Sequence, residues 1–104
     1  MEGRSSISSE ILGSYAADAA RGVAGVRGLV GGALHRPRGV KVAEEDGAVG
    51  IELHLSLEWG ASVPDVGAAV QRRVVEYLER MADVAPTTVD VVVDEIGPPS
   101  AAAE

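Results

Sequence analysis

The side chains of this chain that are able to do acid–base or metal chemistry centre on two histidines and the neighbouring carboxylates. His54 lies two residues from Glu52 and two from Ser56, a spacing that puts all three on one face of a strand. A His–Glu pair on a sheet surface can bind a metal ion weakly. A row of polar residues at alternate positions is more typical of a sheet face exposed to solvent. Because the chain also has no cysteine, we expect neither a metal site nor a cofactor.

Motifs for nucleophilic catalysis and for nucleotide binding are missing from the sequence. The serines have no Gly-x-Ser-x-Gly context. The acidic run Glu44-Glu45-Asp46 matches no calcium-binding loop and suits a solvated turn. Gly25-Val26-Arg27-Gly28 follows a predicted helix, whereas a phosphate-binding loop precedes one. The sequence therefore predicts a protein that is not an enzyme.

An enzyme that acts on a small ligand is the remaining catalytic alternative. It would use the polar sheet face around Glu52, His54 and Glu58, and it requires a concave pocket at that face. A flat, solvated face would exclude this alternative.

The Gly25-x-x-Gly28 spacing suggests another class of function, a KH-like nucleic-acid-binding module. In the KH module a Gly-x-x-Gly loop clamps the nucleic-acid backbone. That loop joins two helices, whereas a strand is predicted to follow it here. A basic strip would support such a role, and its members would be Arg21, Arg27, Arg36, Arg38 and Lys41. The acidic bulk of the chain argues against nucleic acid as a general partner.

Composition indicates one small domain with an aliphatic core. The chain has 104 residues, 46% of them hydrophobic, and contains no Phe. Residues 1–41 carry six basic and three acidic side chains, whereas residues 42–104 carry three basic and thirteen acidic ones, which gives +3 and −10. This uneven charge suits head-to-tail docking or a charged partner. We see no signal peptide and no apolar run of about 20 residues, so we expect a cytoplasmic protein.

The elements that position these side chains follow from hydrophobic periodicity. The predicted elements are a helix at 7–23 with Ser8 or Ser9 as its N-cap, strands at 26–34, 40–44, 48–59 and 87–96, and a second helix at 63–81 that starts at Ser62. Asp46-Gly47 between two alternating runs predicts a tight hairpin turn.

The strand at 48–59 has the clearest alternation in the chain. Its apolar set is predicted to face the core and contains Ile51, Leu53, Leu55, Leu57 and Trp59. Its polar set is predicted to face water and contains Glu52, His54, Ser56 and Glu58. One buried face and one wet face require helices on one side of the sheet only.

The predicted fold class is therefore α+β, a two-layer sandwich in the order α-β-β-β-α-β with two helices packed on one face of a small mixed sheet. The last two strands are expected to lie parallel to each other or to be separated by another strand. Residues 1–6 are predicted to be a flexible lead, 7–97 a single domain and 98–104 a disordered tail.

Several short segments form an ordered pattern that covers residues 7–96. The segments are Val23-Ala24-Gly25-Val26, Gly39-Val40-Lys41-Val42, the strand at 49–57 followed by Trp59-Gly60, Val63-Pro64, Val70-Gln71-Arg72-Arg73-Val74, and Val89-Asp90-Val91-Val92-Val93. Taken in order, they resemble the alkaline shock protein family, a small cell-envelope stress domain of Gram-positive bacteria. The chain departs from the family pattern at Trp59, where Tyr is common, and at Met81-Ala82-Asp83, where Met-Thr-Gly is frequent.

The resemblance implies a non-enzymatic cytoplasmic protein of the envelope or alkaline stress response. Some members of the family associate with the inner face of the membrane through a separate integral-membrane anchor. We expect a scaffold that acts through self-association, as a homo-oligomer, and through contacts with other proteins. The Ala- and Arg-rich composition, with Lys41 as the only lysine, suits an actinobacterial source.

The interaction surface that we predict combines the basic residues of the first half of the chain with the polar face of the strand at 48–59. Its residues are Arg27, Arg36, Arg38, Lys41, Glu52, His54 and Glu58.

Overall fold

The computed structural model describes residues 8–30 and 39–98, which are called the described residues from here on. Their helices and strands are α1 (Ser9–Arg21), β1 (Val26–Leu29), β2 (Val40–Glu45), β3 (Ala48–Glu58), α2 (Val63–Ala82) and β4 (Thr88–Gly97). The predicted order α-β-β-β-α-β and the two-layer α+β architecture are confirmed. The predicted lead at 1–6 and all of the predicted tail except Pro98 lie outside the described residues.

β3 is the central strand, and every other strand of the described sheet pairs with it. β4 runs parallel to β3 along one edge, from Thr88 beside Gly50 to Gly97 beside Glu58. β2 and β1 pair antiparallel with β3 and occupy its other edge one after the other, β2 along residues 48–53 and β1 along residues 55–57. The sheet is therefore mixed, and the last two strands are parallel neighbours.

The end of β1 and the start of β2 adjoin opposite His54. The amide of Val30 donates to the carbonyl oxygen of His54, and the amide of His54 donates to the carbonyl oxygen of Gly39. Gly39 has φ +71°, and a Cβ atom there would lie 2.4 Å from the Val30 carbonyl oxygen. Only glycine fits, because the chain approaches itself so closely and needs a left-handed conformation. The strand predicted at 26–34 pairs with β3 only as far as Leu29, and residues 31–34 lie outside the described residues.

The hairpin predicted at Asp46-Gly47 is confirmed. Glu45 pairs with Ala48, so the turn has two residues between the strands. Both turn residues have positive φ, 53° at Asp46 and 81° at Gly47, as a type I′ turn requires. The turn fixes the register in which β2 lies against β3.

Side chains cap the N-terminus of each helix. Ser8 accepts a hydrogen bond from the amide of Ile11 at the start of α1, and Ser62 accepts one from the amide of Asp65 at the start of α2. α1 ends at a Gly22 cap, earlier than the predicted Val23. α2 ends at Ala82, and its C-cap Asp83 takes the left-handed conformation that glycine usually supplies.

The core lies between the two helices and one face of the sheet. β3 contributes four fully buried side chains, and α2 faces them with four at a spacing of four residues. Small alanines of α1 let that helix approach the same layer closely, and Tyr15 meets Tyr77 edge-on at 5.9 Å between ring centroids. The buried core residues include Leu12, Ala16, Ala20, Ile51, Leu53, Leu55, Leu57, Val66, Val70, Val74 and Leu78.

The core prediction for Trp59 is wrong. Its side chain is 65% exposed, because β3 ends at Glu58 and the chain turns at Gly60 before it enters α2. Ile11, Val63 and Met81 are also large apolar side chains that are exposed, each in the first or last turn of its helix. Hydrophobic periodicity alone does not predict where a strand or helix extends beyond the layer that packs against it.

A pair of isoleucines in the sheet tests the position of the core. Ile51 is 1% exposed and Ile96 is 51% exposed. We expect Ile51→Ala to lower the free energy of unfolding by about 2–5 kcal/mol because it leaves a cavity between β3 and the helices. We expect the matched variant Ile96→Ala to lower it by less than about 1 kcal/mol. Urea denaturation followed by circular dichroism measures both, and equal losses would contradict the assignment.

Candidate functional site: the helix-free face and the β4 edge

One face of the sheet is covered by neither described helix and is called the helix-free face from here on; it carries polar residues that were predicted to form an interaction surface. Alternation along β3 brings Glu52, His54 and Glu58 to this face. Lys41 on β2 pairs directly with Glu52 and shares its face. Arg27 reaches the same face from β1, as its contact with Ser56 shows. The other two predicted members, Arg36 and Arg38, lie outside the described residues.

His54 contacts two carboxylates, one on its own strand β3 and one on β4. Its Nε2 atom lies 2.6 Å from Oε2 of Glu52, and its Nδ1 atom lies 2.8 Å from Oδ2 of Asp94. Carboxylates accept hydrogen bonds, so both contacts are complete when both ring nitrogens carry a proton. In that state the ring has no lone pair for a metal ion. No group of three or more potential ligands for a metal ion is found among residues 8–30 and 39–98.

Arg27 contacts residues of β3 and β4 on the helix-free face of the sheet. Its Nη1 atom donates to Oγ of Ser56 at 2.8 Å and lies 3.9 Å from Oε1 of Glu95. The guanidinium group lies across Gly97, where a Cβ atom would come within 3.1 Å of Nη1. Ser56 is buried, 5% exposed, so its predicted contact with water is wrong. A register shift between Val26 and Gly28 leaves Arg27 as an extra residue in β1, and no local residue pattern predicts this shift.

The Gly-x-x-Gly segment does not have the arrangement of a KH loop. Gly25 follows α1 with φ +96° and accepts a hydrogen bond from the amide of Glu58. Gly28 already lies in β1, beside Ser56. The segment therefore joins a helix to a strand. Arg21 pairs with Asp18 on α1, in the helical layer, and so is separated from Arg27 on the opposite face.

A groove that was not predicted from the sequence lies between α2 and β4. It has a volume of about 230 Å³, and its lining residues are Val63, Pro64, Gly67, Ala68, Val91 and Val93, with Gln71 at one end. Gln71 donates from Nε2 to the carbonyl oxygen of Val89 at 2.9 Å. The groove depends on which strand lies beside α2, and this information is not present in the periodicity of either element.

The enzyme alternative requires a pocket beside Glu52, His54 and Glu58, and two grooves of the described residues can be compared with that requirement. A second groove lies between the end of α1 and α2, beside Gly22, Arg72, Arg73 and Glu76. Neither groove is lined by Glu52, His54 or Glu58. The polar face and the two grooves are thus separate features.

Comparison with known families shows which family the chain belongs to. A family model described as having a cell envelope-related function matches residues 1–98. The chain belongs to the alkaline shock protein 23 family. No curated protein and no solved structure matches the chain. Neither described helix is long and apolar enough to cross a membrane. The resemblance stated from the sequence is confirmed, and a cell envelope-related function comes with it.

Replacement of Arg27 tests whether the contacts of this residue stabilise the fold. We expect Arg27→Ala to lower the free energy of unfolding by about 1–2 kcal/mol, because Ser56 loses its partner and the cover over Gly97 is removed. The matched control Arg80→Ala, at an exposed site on α2, is expected to stay within about 0.5 kcal/mol of the parent. Chemical denaturation measures both variants, and equal effects would show that Arg27 is an ordinary surface residue.

Substitution of Gly67 tests whether the glycine that leaves the α2–β4 groove open also lowers the stability of the protein. No atom lies within 4 Å of the position that a Cβ atom of Gly67 would take, and the residue is inside α2. We expect Gly67→Ala to raise the free energy of unfolding by about 0.5–1 kcal/mol, because alanine favours the helix. The reverse change at the next position, Ala68→Gly, is expected to lower it by a similar amount. Thermal or urea unfolding gives the sign, and destabilisation by Gly67→Ala would contradict an open groove.

Proposed function

We propose that this protein is a non-enzymatic scaffold of the envelope stress response, which works at the cytoplasmic side of the membrane through self-association and contacts with other proteins. The cell envelope-related function of its family supports the envelope part of this proposal. The observation that carries the proposal is that the sheet has open edges. Its central strand has neighbours on both edges, and the outer edges of β2 and β4 have no paired strand among the described residues. Open strand edges are sites where further strands add.

The charges on β2 favour a second copy of the same chain at its edge. In a two-fold antiparallel pair centred on Ala43, Lys41 of each copy lies opposite Glu45 of the other. The two residues project to the same face, so each pair is one of opposite charge. A contact of this kind uses the same patch on both copies and closes after two.

The charges on β4 oppose the corresponding pairing. An antiparallel pair of β4 strands centred on Val92 would place Asp90 of each copy opposite Asp94 of the other. β4 also carries Glu95 and has no basic residue. A dimer joined through β2 therefore has an open, acidic β4 edge at each end, and two such sites allow one dimer to hold two partner molecules.

An integral-membrane anchor is the partner that we propose for the membrane-associated role. The family resemblance supports this assignment, since it implies attachment through a separate protein. Affinity purification of the tagged protein from detergent-solubilised native cells tests it. Recovery of a small integral-membrane protein in proportion to the bait is expected, and its absence under conditions that preserve other membrane complexes would overturn the anchoring part of the proposal.

A charge exchange on β2 tests self-association. We expect the mass of the parent protein, measured by light scattering after size exclusion, to rise with concentration towards that of a dimer. Lys41→Glu and Glu45→Lys should each weaken association by about two- to fivefold, because each puts like charges opposite one another. The double variant should restore association, since it exchanges the charges within each pair.

The control for this experiment is Arg80→Glu, which changes the net charge as Lys41→Glu does but lies on the exposed side of α2. It should leave association unchanged, and circular dichroism checks that each variant folds. A parent protein that stays monomeric at every concentration would refute self-association. A double variant that remains as weak as the single variants would refute pairing through β2.

A further inference from the structure

The backbone groups at the outer edge of β4 can be assigned from the hydrogen bonds of β3. His54 uses both its amide and its carbonyl group towards Gly39 and Val30, on the β1–β2 side. Peptide groups alternate along a strand, so Leu53 and Leu55 direct theirs towards β4.

Two residues of β4 consequently direct their peptide groups away from the sheet. Val91 is the partner of Leu53, and Val93 is the partner of Leu55. In a parallel ladder a residue bonds to the neighbours of its partner, so the peptide groups of Val91 and Val93 point outwards. The carbonyl oxygen of Val89, two residues earlier, is already taken by Gln71. No strand pairs with this edge in the part of the chain that the structure describes.

The same two valines form one wall of the α2–β4 groove. Their side chains are half-buried, and the opposite wall is made by Val63, Pro64 and the backbone of Gly67. The absence of a side chain at Gly67 leaves room for another chain to approach α2 closely. Outward peptide groups and an apolar groove therefore lie side by side, which is the combination that binds a peptide by strand addition.

Charge defines the chemistry of the segment that fits. A strand added to β4 points alternate side chains into the groove and the others towards the helix-free face. The groove side is apolar, whereas Asp90 and Asp94 project from β4 on the other side and Glu95 follows. A segment with apolar side chains at alternate positions and basic ones between them satisfies both sides.

We propose that β4 and the α2–β4 groove bind an extended peptide segment of a partner protein, with alternating apolar and basic residues, as an additional strand of the sheet. This inference deepens the proposed function, because it names the chemistry of the partner and assigns it to the edge that a second copy disfavours. It rests on the scaffold role but not on the β2 contact.

Fluorescence anisotropy with a labelled six-residue probe, Lys-Val-Lys-Val-Lys-Val, tests the proposal on the full chain. We expect saturable binding by the parent protein and much weaker binding of the probe Glu-Val-Glu-Val-Glu-Val. Val91→Pro removes an outward amide at a position where an edge strand tolerates proline, so we expect about tenfold weaker binding than for Val91→Ala. The alanine variant is the matched control, since both changes lose the valine side chain and neither changes the net charge.

A second variant tests the groove without changing β4. Gly67→Leu fills the space beside Val91 and Val93 and should weaken binding by a similar factor, while circular dichroism shows that the fold is kept. Chemical-shift changes on probe addition should include the amides of Val91 and Val93. Equal affinities for Val91→Pro and Val91→Ala, or equal affinities for the basic and acidic probes, would overturn the proposal.

The remaining outcomes separate this inference from the proposed function. If Val91→Pro abolishes dimer formation and the parent protein binds no probe, β4 belongs to a second copy and the inference is wrong, whereas self-association stands. If the probe binds as expected to a protein that is monomeric at every concentration, the inference stands and self-association through β2 is wrong.

Discussion

The strict alternation of β3 is the constraint on which the rest of the structure depends. Its apolar side chains form the floor of the core, and its polar side chains supply the helix-free face. Because β3 is paired along both edges, the free energy of the core and that of the sheet ladder are gained together. The positions of β1, β2 and β4 then follow from one strand, and the outer edges of β2 and β4 have no paired strand among the described residues.

The two outer edges differ in charge, and this difference organises the functional account. β2 combines one lysine with glutamates, so it can face a copy of itself with opposite charges in register. The charged residues of β4 are all acidic, so they repel those of a second β4 strand and favour a basic segment. The packing of α2 beside β4 adds the apolar groove to the acidic edge. Two residues of the helix-free face make contacts between strands: His54 joins β3 to β4 through Asp94, and Arg27 joins β1 to β3 through Ser56.

The sequence predicted the elements well where a local signal determines them. The hairpin at Asp46-Gly47, the capping serines and the alternation of β3 each depend on neighbouring residues, and each is found. The errors arise where tertiary structure decides. Trp59 continues the period of β3 but lies beyond the helical layer, and Ser56 is buried by an arginine that a register shift delivers from β1. The α2–β4 groove was missed because periodicity does not order strands across a sheet.

The claim that β4 is the edge used for interaction can be tested most directly by hydrogen–deuterium exchange on the native assembly. The tagged protein would be isolated with its partners from detergent-solubilised cells, and deuterium uptake would be compared with that of the pure protein at a concentration where it is monomeric. We expect slower exchange in the segment that contains Val91 and Val93, since outward amides become hydrogen-bonded in the assembly. Unchanged exchange in β4, with protection confined to other segments, would contradict it.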